Sequence, residues 1–181
     1  MQKTALQAIL EQLLASIEHA LQSGYYLPAQ ILIYAGIDAA AWLSSDDKEE
    51  EVGKRFRSWV ERWMLPAKPL PATAHDLYAA RCAVLHTFTA DSRMSKKGAA
   101  RRIALAIGAE TTQRLQAGLH SKSGSDVVAV HIDDLYEGFR LGFANCLESL
   151  QSDPAALALT VARMEKYPVF VEGDALKEFL K

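Results

Sequence analysis

Cysteines, metal-ligand spacings, phosphate loops and long apolar runs are all scarce in this chain, and each scarcity closes off a class of function. The only cysteines are Cys82 and Cys146. Both fall on apolar helical faces, which reads as reduced, buried thiols of a cytoplasmic protein rather than a disulfide framework. No Cys-x-x-Cys and no His-Glu-x-x-His occurs, so the motifs ask for no metal. There is no glycine-rich phosphate loop either, and no cofactor is expected. His75, Asp76 and His86 match no metal-ligand spacing. The longest apolar stretch, Ile31–Leu43, is broken by Asp38 and is too short to span a bilayer. The first residues set Gln2, Lys3, Gln7 and Glu11 among leucines, unlike a secretory signal. Neither sign of charge dominates: the net charge is −2, so nucleic-acid binding would need a local patch.

What remains is an ordinary globular composition in 181 residues, enough for one well-buried domain. Leu6, Leu10, Leu13, Ile17 and Leu21 line one face of a helix over 3–22, and Gly24 suits its C-cap. A helix from Pro28 to Leu43 is apolar nearly all round and should be the most buried element. Asp38 within it needs a partner, because an unpaired buried carboxylate costs several kcal/mol or takes up a proton. A backbone N–H, Tyr34 on the same face, or a cation such as Arg81 would serve. Ser44 to Asp47 reads as the N-cap and acidic first turn of a helix through Val52, Phe56, Trp59, Val60, Trp63 and Met64. The two tryptophans read as core or a dimer seam, while Lys54, Arg55, Arg57, Glu61 and Arg62 form an outer, solvated face. Pro66, Pro69 and Pro71 predict an extended connector.

The richest stretch is 71–102. Thr73 and Asp76 have the form of a capping box, which predicts a helix from Ala74. Leu77, Tyr78, Arg81, Val84, Leu85 and Phe88 recur along it at helical spacing. Thr87 to Ser92 end it with turn residues. Arg93, Lys96, Lys97, Arg101 and Arg102 follow with no acid between them, a candidate track for a phosphate backbone or simply a solvated loop. Beyond lie two short strands, 102–107 and 127–132, around a short helix at Glu110–Leu119. A helix then opens at Asp133 or Asp134, with Leu135, Phe139, Phe143, Cys146, Leu147 and Leu150 inward. Asp153-Pro154 starts another, running to about Lys166, and the tail to Lys181 has room for a final turn. The expected fold is mostly α: a single-domain antiparallel bundle of five to six helices with a small β insertion at about 93–132.

Within this frame the titratable pair Arg81 and His86 stands out. As a string, Arg-x4-His is weak. Ten arginines and five histidines give about 0.3 chance matches at one spacing, and Arg114 with His120 is a near match beside a flexible-looking turn. His19 and His131 have no evident companions. Residues five apart on a helix are rotated by about 140°, so Arg81 and His86 converge only if the helix loosens, if Arg81 bends along it, or if two copies meet. The plainer alternative is a buried Arg81–Asp38 ion pair, with His86 a helix-end residue that suits the dipole.

Leu32-Ile-Tyr-Ala-Gly-Ile-Asp38, Arg81-Cys-Ala-Val-Leu-His86 and the order of amphipathic helices around them resemble the HEPN superfamily (higher eukaryotes and prokaryotes nucleotide-binding domains). The resemblance covers about 1–90 and 133–165. It implies a metal-independent endoribonuclease, of the kind found in toxin or defence systems, that works as a homodimer on RNA and has an antitoxin or other protein as a partner. It implies Arg81 and His86 as catalytic residues. For such chemistry Asp38, with Tyr34 on its face, would orient them or simply be buried and hydrogen-bonded, and Arg93, Lys96, Lys97, Arg101 and Arg102 would track the RNA backbone or form a solvated loop. The residue after the motif arginine is often polar in active members; here it is Cys82. The alternatives are a catalytically silent module of the same shape that binds a protein or nucleotide, and a purely structural adaptor.

Overall fold

The apolar run around Ile37 folds as the central helix, and five other helices among the described residues pack against it. The structure, a computed structural model, describes residues 5–45 and 51–164. Helix α2 spans Tyr26–Ser44 and buries Ile33, Tyr34, Ile37, Ala40, Ala41 and Leu43. By length and composition α2 is apolar enough to cross a membrane. Here its apolar surface is covered by α1 (Ala5–Gln22), α3 (Val52–Trp59), α5 (Ala74–Thr87), α8 (Ile132–Gln151) and α9 (Pro154–Met164). The stripe of α1 reaches it through Leu10, Leu13, Ile17 and Leu21. Full burial of Ile17 contributes about 2 kcal/mol. Gly24 turns the chain out of α1 with φ +74°.

Two boundaries differ from the sequence reading. Ser44 and Ser45 do not start the next helix: Ser44 is the last residue of α2 and Ser45 its extended C-cap. The start at Asp46–Asp47 lies outside the described residues, and α3 begins at Val52 after Glu51. Leu43 is still buried, and α9 supplies what the end of α2 needs. Arg163, only 7% exposed, donates Nη1 to the carbonyls of Trp42, Leu43 and Ser45, and the Thr160 hydroxyl donates to Leu43 O at 3.1 Å. These are the carbonyls a helix end leaves unpaired, and a cation suits that end of the dipole.

The second difference is Pro66, which lies inside a helical turn rather than a connector. From Trp59 the rod passes into a π-turn, Val60–Met64, then α4, Leu65–Ala67. Leu65 N–H bonds back five residues to Val60 O. Proline is tolerated where the bonding register shifts and its missing N–H leaves no gap. The extended connector begins at Lys68. α8 crosses the π-turn at Gly142, where a Cβ would fall 2.7 Å from Met64 Cα. Only glycine permits that approach.

The sequence between α5 and α8 adds a short helix, α6 (Arg93–Lys96), then β1 (Arg102–Ala106), α7 (Thr112–Ser123) and β2 (Val127–His131). The strands pair in parallel, Arg102 opposite Val127 and Ala106 opposite His131, so α7 is a crossover helix. Gln116 on α7 donates to Val127 O and accepts from Ala129 N–H, which closes the outer edge of β2. Ile103, Val128 and Val130 belong to the same core as the helices. β2 runs directly into α8, whose N-cap is His131: its Nδ1 accepts from Asp133 N–H. Asp153 caps α9, accepting from Ala155 and Ala156 N–H. The expected end at Lys166 and the tail to Lys181 lie outside the described residues. The architecture is a mostly helical bundle with a small parallel sheet.

Candidate functional site

Helix α5 carries the candidate pair, and its start is fixed by the predicted capping box. Thr73 Oγ1 accepts from Asp76 N–H at 3.1 Å, and Thr73 N–H donates to Asp76 Oδ2 at 3.0 Å. Asp76, 3% exposed, also gathers the basic stretch: Arg101 donates its backbone N–H to Oδ1 at 2.7 Å, and Nη2 and Nε to Oδ2 at 2.7 and 3.1 Å. Burial pushes this carboxyl up. The Arg101 guanidinium, the backbone donors and Thr73 more than offset that, so its pKa ends below the usual carboxylate range.

Arg81 leaves α5 toward α2 and meets Asp38. Nε donates to Asp38 Oδ2 at 2.7 Å, and Nη2 lies 2.6 Å from the same oxygen. The two side chains are 16% and 21% exposed. Nη1 projects along the helix to 3.5 Å from His86 Nε2. The α-helix is regular through Thr87, so Arg81 bends along it; the helix does not loosen. Asp38 Oδ1 is buried with no hydrogen-bond partner among the described residues. Burial raises the Asp38 carboxyl above its ordinary value, against the pull of Arg81, Arg55 and His86, and the carboxylate in turn raises Arg81, outweighing desolvation. His86 itself is exposed.

Other predicted residues fall elsewhere. Tyr34 does not join Asp38. Its ring is fully buried and its hydroxyl makes no hydrogen bond of good geometry. Burial pushes it up to about 12, offset only slightly by Gln30 one turn back. Phe88 is not on the core face: it closes α5 in the left-handed region with φ 53° and is 67% exposed. Cys146 is buried as expected, but Cys82 is only half-buried. The buried stripe of α5 runs through Leu77, Ala80 and Val84, and position 82 lies to its side, against Tyr78.

The basic stretch does not act as one patch. Arg93, Lys96 and Lys97 are exposed. Arg101 is tied to Asp76, and Arg102 lies 3.7 Å from Asp91. Lys96 borders a shallow cavity of about 600 Å³ that Asp76 and Asp126 also line, so its charge is mixed. Arg114 and His120 are exposed on α7, with Arg114 Nε 3.6 Å from Glu110. His19 is exposed on α1. Among the described residues no three His, Cys, Asp or Glu side chains cluster as metal ligands.

The sequence reading missed a second polar cleft between α2 and α3. It has a volume of about 340 Å³ and is lined by Ser44, Ser45, Arg55, Ser58, Arg62 and Trp63 among others. The spacing of 55, 58 and 62 on one helical face was its only signal, and a solvated face gives the same signal. No family model, no curated protein and no solved structure matches this chain.

Proposed function

We propose that this protein is a metal-independent endoribonuclease of HEPN type, with Arg81 and His86 as its catalytic residues. The observation that carries the reading is the 3.5 Å approach of Arg81 Nη1 to His86 Nε2 at the exposed end of α5, with Asp38 gripping the other edge of the guanidinium. RNA is cleaved when a 2′-hydroxyl loses its proton and attacks the adjacent phosphorus. The 5′-oxygen leaves with a proton, and a 2′,3′-cyclic phosphate remains. An imidazole ordinarily titrates near neutral pH and can take or give that proton. A guanidinium stays charged and presents donors to the phosphorane oxygens. Asp38 engages Nε and Nη2, which orients Nη1 for the phosphate beside His86. The protein acts in this reading as a cytoplasmic homodimer in a toxin or defence system, held in check by an antitoxin or other protein partner.

A second reading, a catalytically silent module that binds a protein or nucleotide, draws on one observation. The Asp38–Arg81 pair satisfies a buried charge, as it would in a purely structural role. The two part on cleavage of mixed single-stranded and structured RNAs in EDTA by wild type, His86→Ala and Arg81→Ala at matched folding and oligomeric state. Wild-type cleavage that vanishes in both variants supports the nuclease. No cleavage, or cleavage that both variants retain, leaves the binding module.

A further inference from the structure

We infer that the cleft between α2 and α3 is the groove that holds the phosphodiester backbone of single-stranded RNA, with Arg62 as its phosphate contact. This rests on the ribonuclease reading and names where its substrate lies. The cleft is polar where a phosphate needs it to be. Ser58 brings a hydroxyl, and Arg55 of α3 and Arg62 of the π-turn bring guanidinium groups, while the hydroxyls of Ser44 and Ser45 are given to the carbonyls of Ala40 and Trp42. It has a volume of about 340 Å³ and is open to solvent along the helix face rather than enclosed.

The position of each cation matters more than the count. Arg62 lies over the Trp63 ring, 4.7 Å from its centroid, so a guanidinium is held at the rim instead of waving in solvent. It meets no carboxylate among the described residues. Arg55 links the cleft to the candidate pair: it lines the cleft, and its charge is felt at Asp38, which Arg81 grips. Asp38, Ala41 and Ser45 follow one another along a single face of α2, so the track leads from the Arg81–His86 end to the rim at Arg62. The basic residues after α5 offer no such track, because Arg101 and Arg102 face Asp76 and Asp91. Residues 46–50 carry four acids and one lysine and lie outside the described residues. Affinity and its salt dependence therefore test the idea better than a charge count.

The experiment uses the full chain with His86→Ala, so that bound RNA is not cleaved. A fluorescein-labelled, unstructured RNA of mixed sequence is titrated at several NaCl concentrations, and anisotropy gives Kd. Adding Arg62→Ala should weaken binding at least fivefold and flatten the slope of log affinity against log salt by about 0.7, the loss of one single-strand phosphate contact. Arg114→Ala, on the exposed face of α7, should change neither. Arg62 is exposed, so its removal should leave the melting temperature in place. Unchanged affinity and slope in the Arg62 variant would overturn the groove, as would absence of any RNA binding. Binding that depends on Arg62 while wild type never cleaves RNA would keep the groove and sink the nuclease.

Discussion

Asp38 and Arg81 lie 43 positions apart in the chain and meet at 2.6 Å, with both guanidinium contacts falling on one carboxylate oxygen. The other oxygen of Asp38 stays buried and unpaired among the described residues. Arginine–carboxylate pairs are frequently bidentate, with one donor to each oxygen, and this one is not. The one-sided grip leaves Arg81 Nη1 beside His86, and the account of the site rests on that arrangement.

Removing His86 and removing Arg81 should have unequal effects on stability. His86→Ala should change unfolding free energy by no more than about 0.5 kcal/mol, since the ring is exposed. Arg81→Ala strands Asp38 and should cost about 1–3 kcal/mol at pH 7.5. The pH dependence has a definite sign. The folded-state pKa of Asp38 is already above its ordinary value, so its contribution is present below about pH 4 and is lost as pH rises through the folded value. Without Arg81 the folded value climbs further. The deficit of the variant should therefore shrink on acidification from pH 7.5 to 4.5. Urea unfolding at the two pH values reads this directly.

Asp76 should behave in the opposite sense. Its folded-state pKa is lowered, so its stabilisation is present above about pH 4 and disappears as pH falls through the folded value. Asp76→Asn should cost about 2–3 kcal/mol at neutral pH, through the lost charge-assisted bonds to Arg101 and the weakened cap. Wild type and variant should converge as the pH approaches 3, measured by denaturant midpoints.

Two glycines give a signed comparison. Gly142→Ala puts a Cβ 2.7 Å from Met64 Cα and 2.9 Å from Met64 N, backbone atoms that cannot swing away. It should destabilise by about 1–3 kcal/mol. Gly118→Ala, inside α7 with nothing within 4 Å of the new Cβ, should stabilise by about 0.5–1 kcal/mol. Calorimetric melting of the two variants should move in opposite directions.

Gln116→Ala should expose the outer edge of β2. Val127 O and Ala129 N–H lose their partner, at a cost of about 1–2 kcal/mol. Hydrogen exchange of the Ala129 amide should accelerate by at least tenfold, and that of the α2 amides should stay as it was.

Much of the helical frame was legible because local signals were strong. The capping box at Thr73 and Asp76 places the first residue of α5, and Asp153-Pro154 places that of α9. The misreadings share a form: a local signal was overridden by its structural context. Ser44 and Ser45 look like an N-cap, but Arg163, about 120 residues later, completes the end of α2. Pro66 looks like a breaker, but the π-turn before it shifts the bonding register. The basic stretch looks free, but Arg101 is held by Asp76 through 25 residues of chain. The 140° rotation between Arg81 and His86 argued against contact within one helix. The length of the arginine side chain, with one edge of its guanidinium held by Asp38, overcomes it. The cleft at Arg62 was illegible because a spaced row of cations on an outer face is common to solvated helices and binding surfaces.

The most direct test of the central claim is the chemistry of the cut ends. An RNA of defined sequence would be incubated with wild-type protein in EDTA, alongside the same RNA carrying a single 2′-deoxy nucleotide at the cleaved position. The account predicts 2′,3′-cyclic phosphate ends from the first, no cut at that position in the second, and no cut at all with His86→Ala. Ends bearing a 5′-phosphate, cleavage of the 2′-deoxy substrate, or undiminished cleavage by His86→Ala would contradict it.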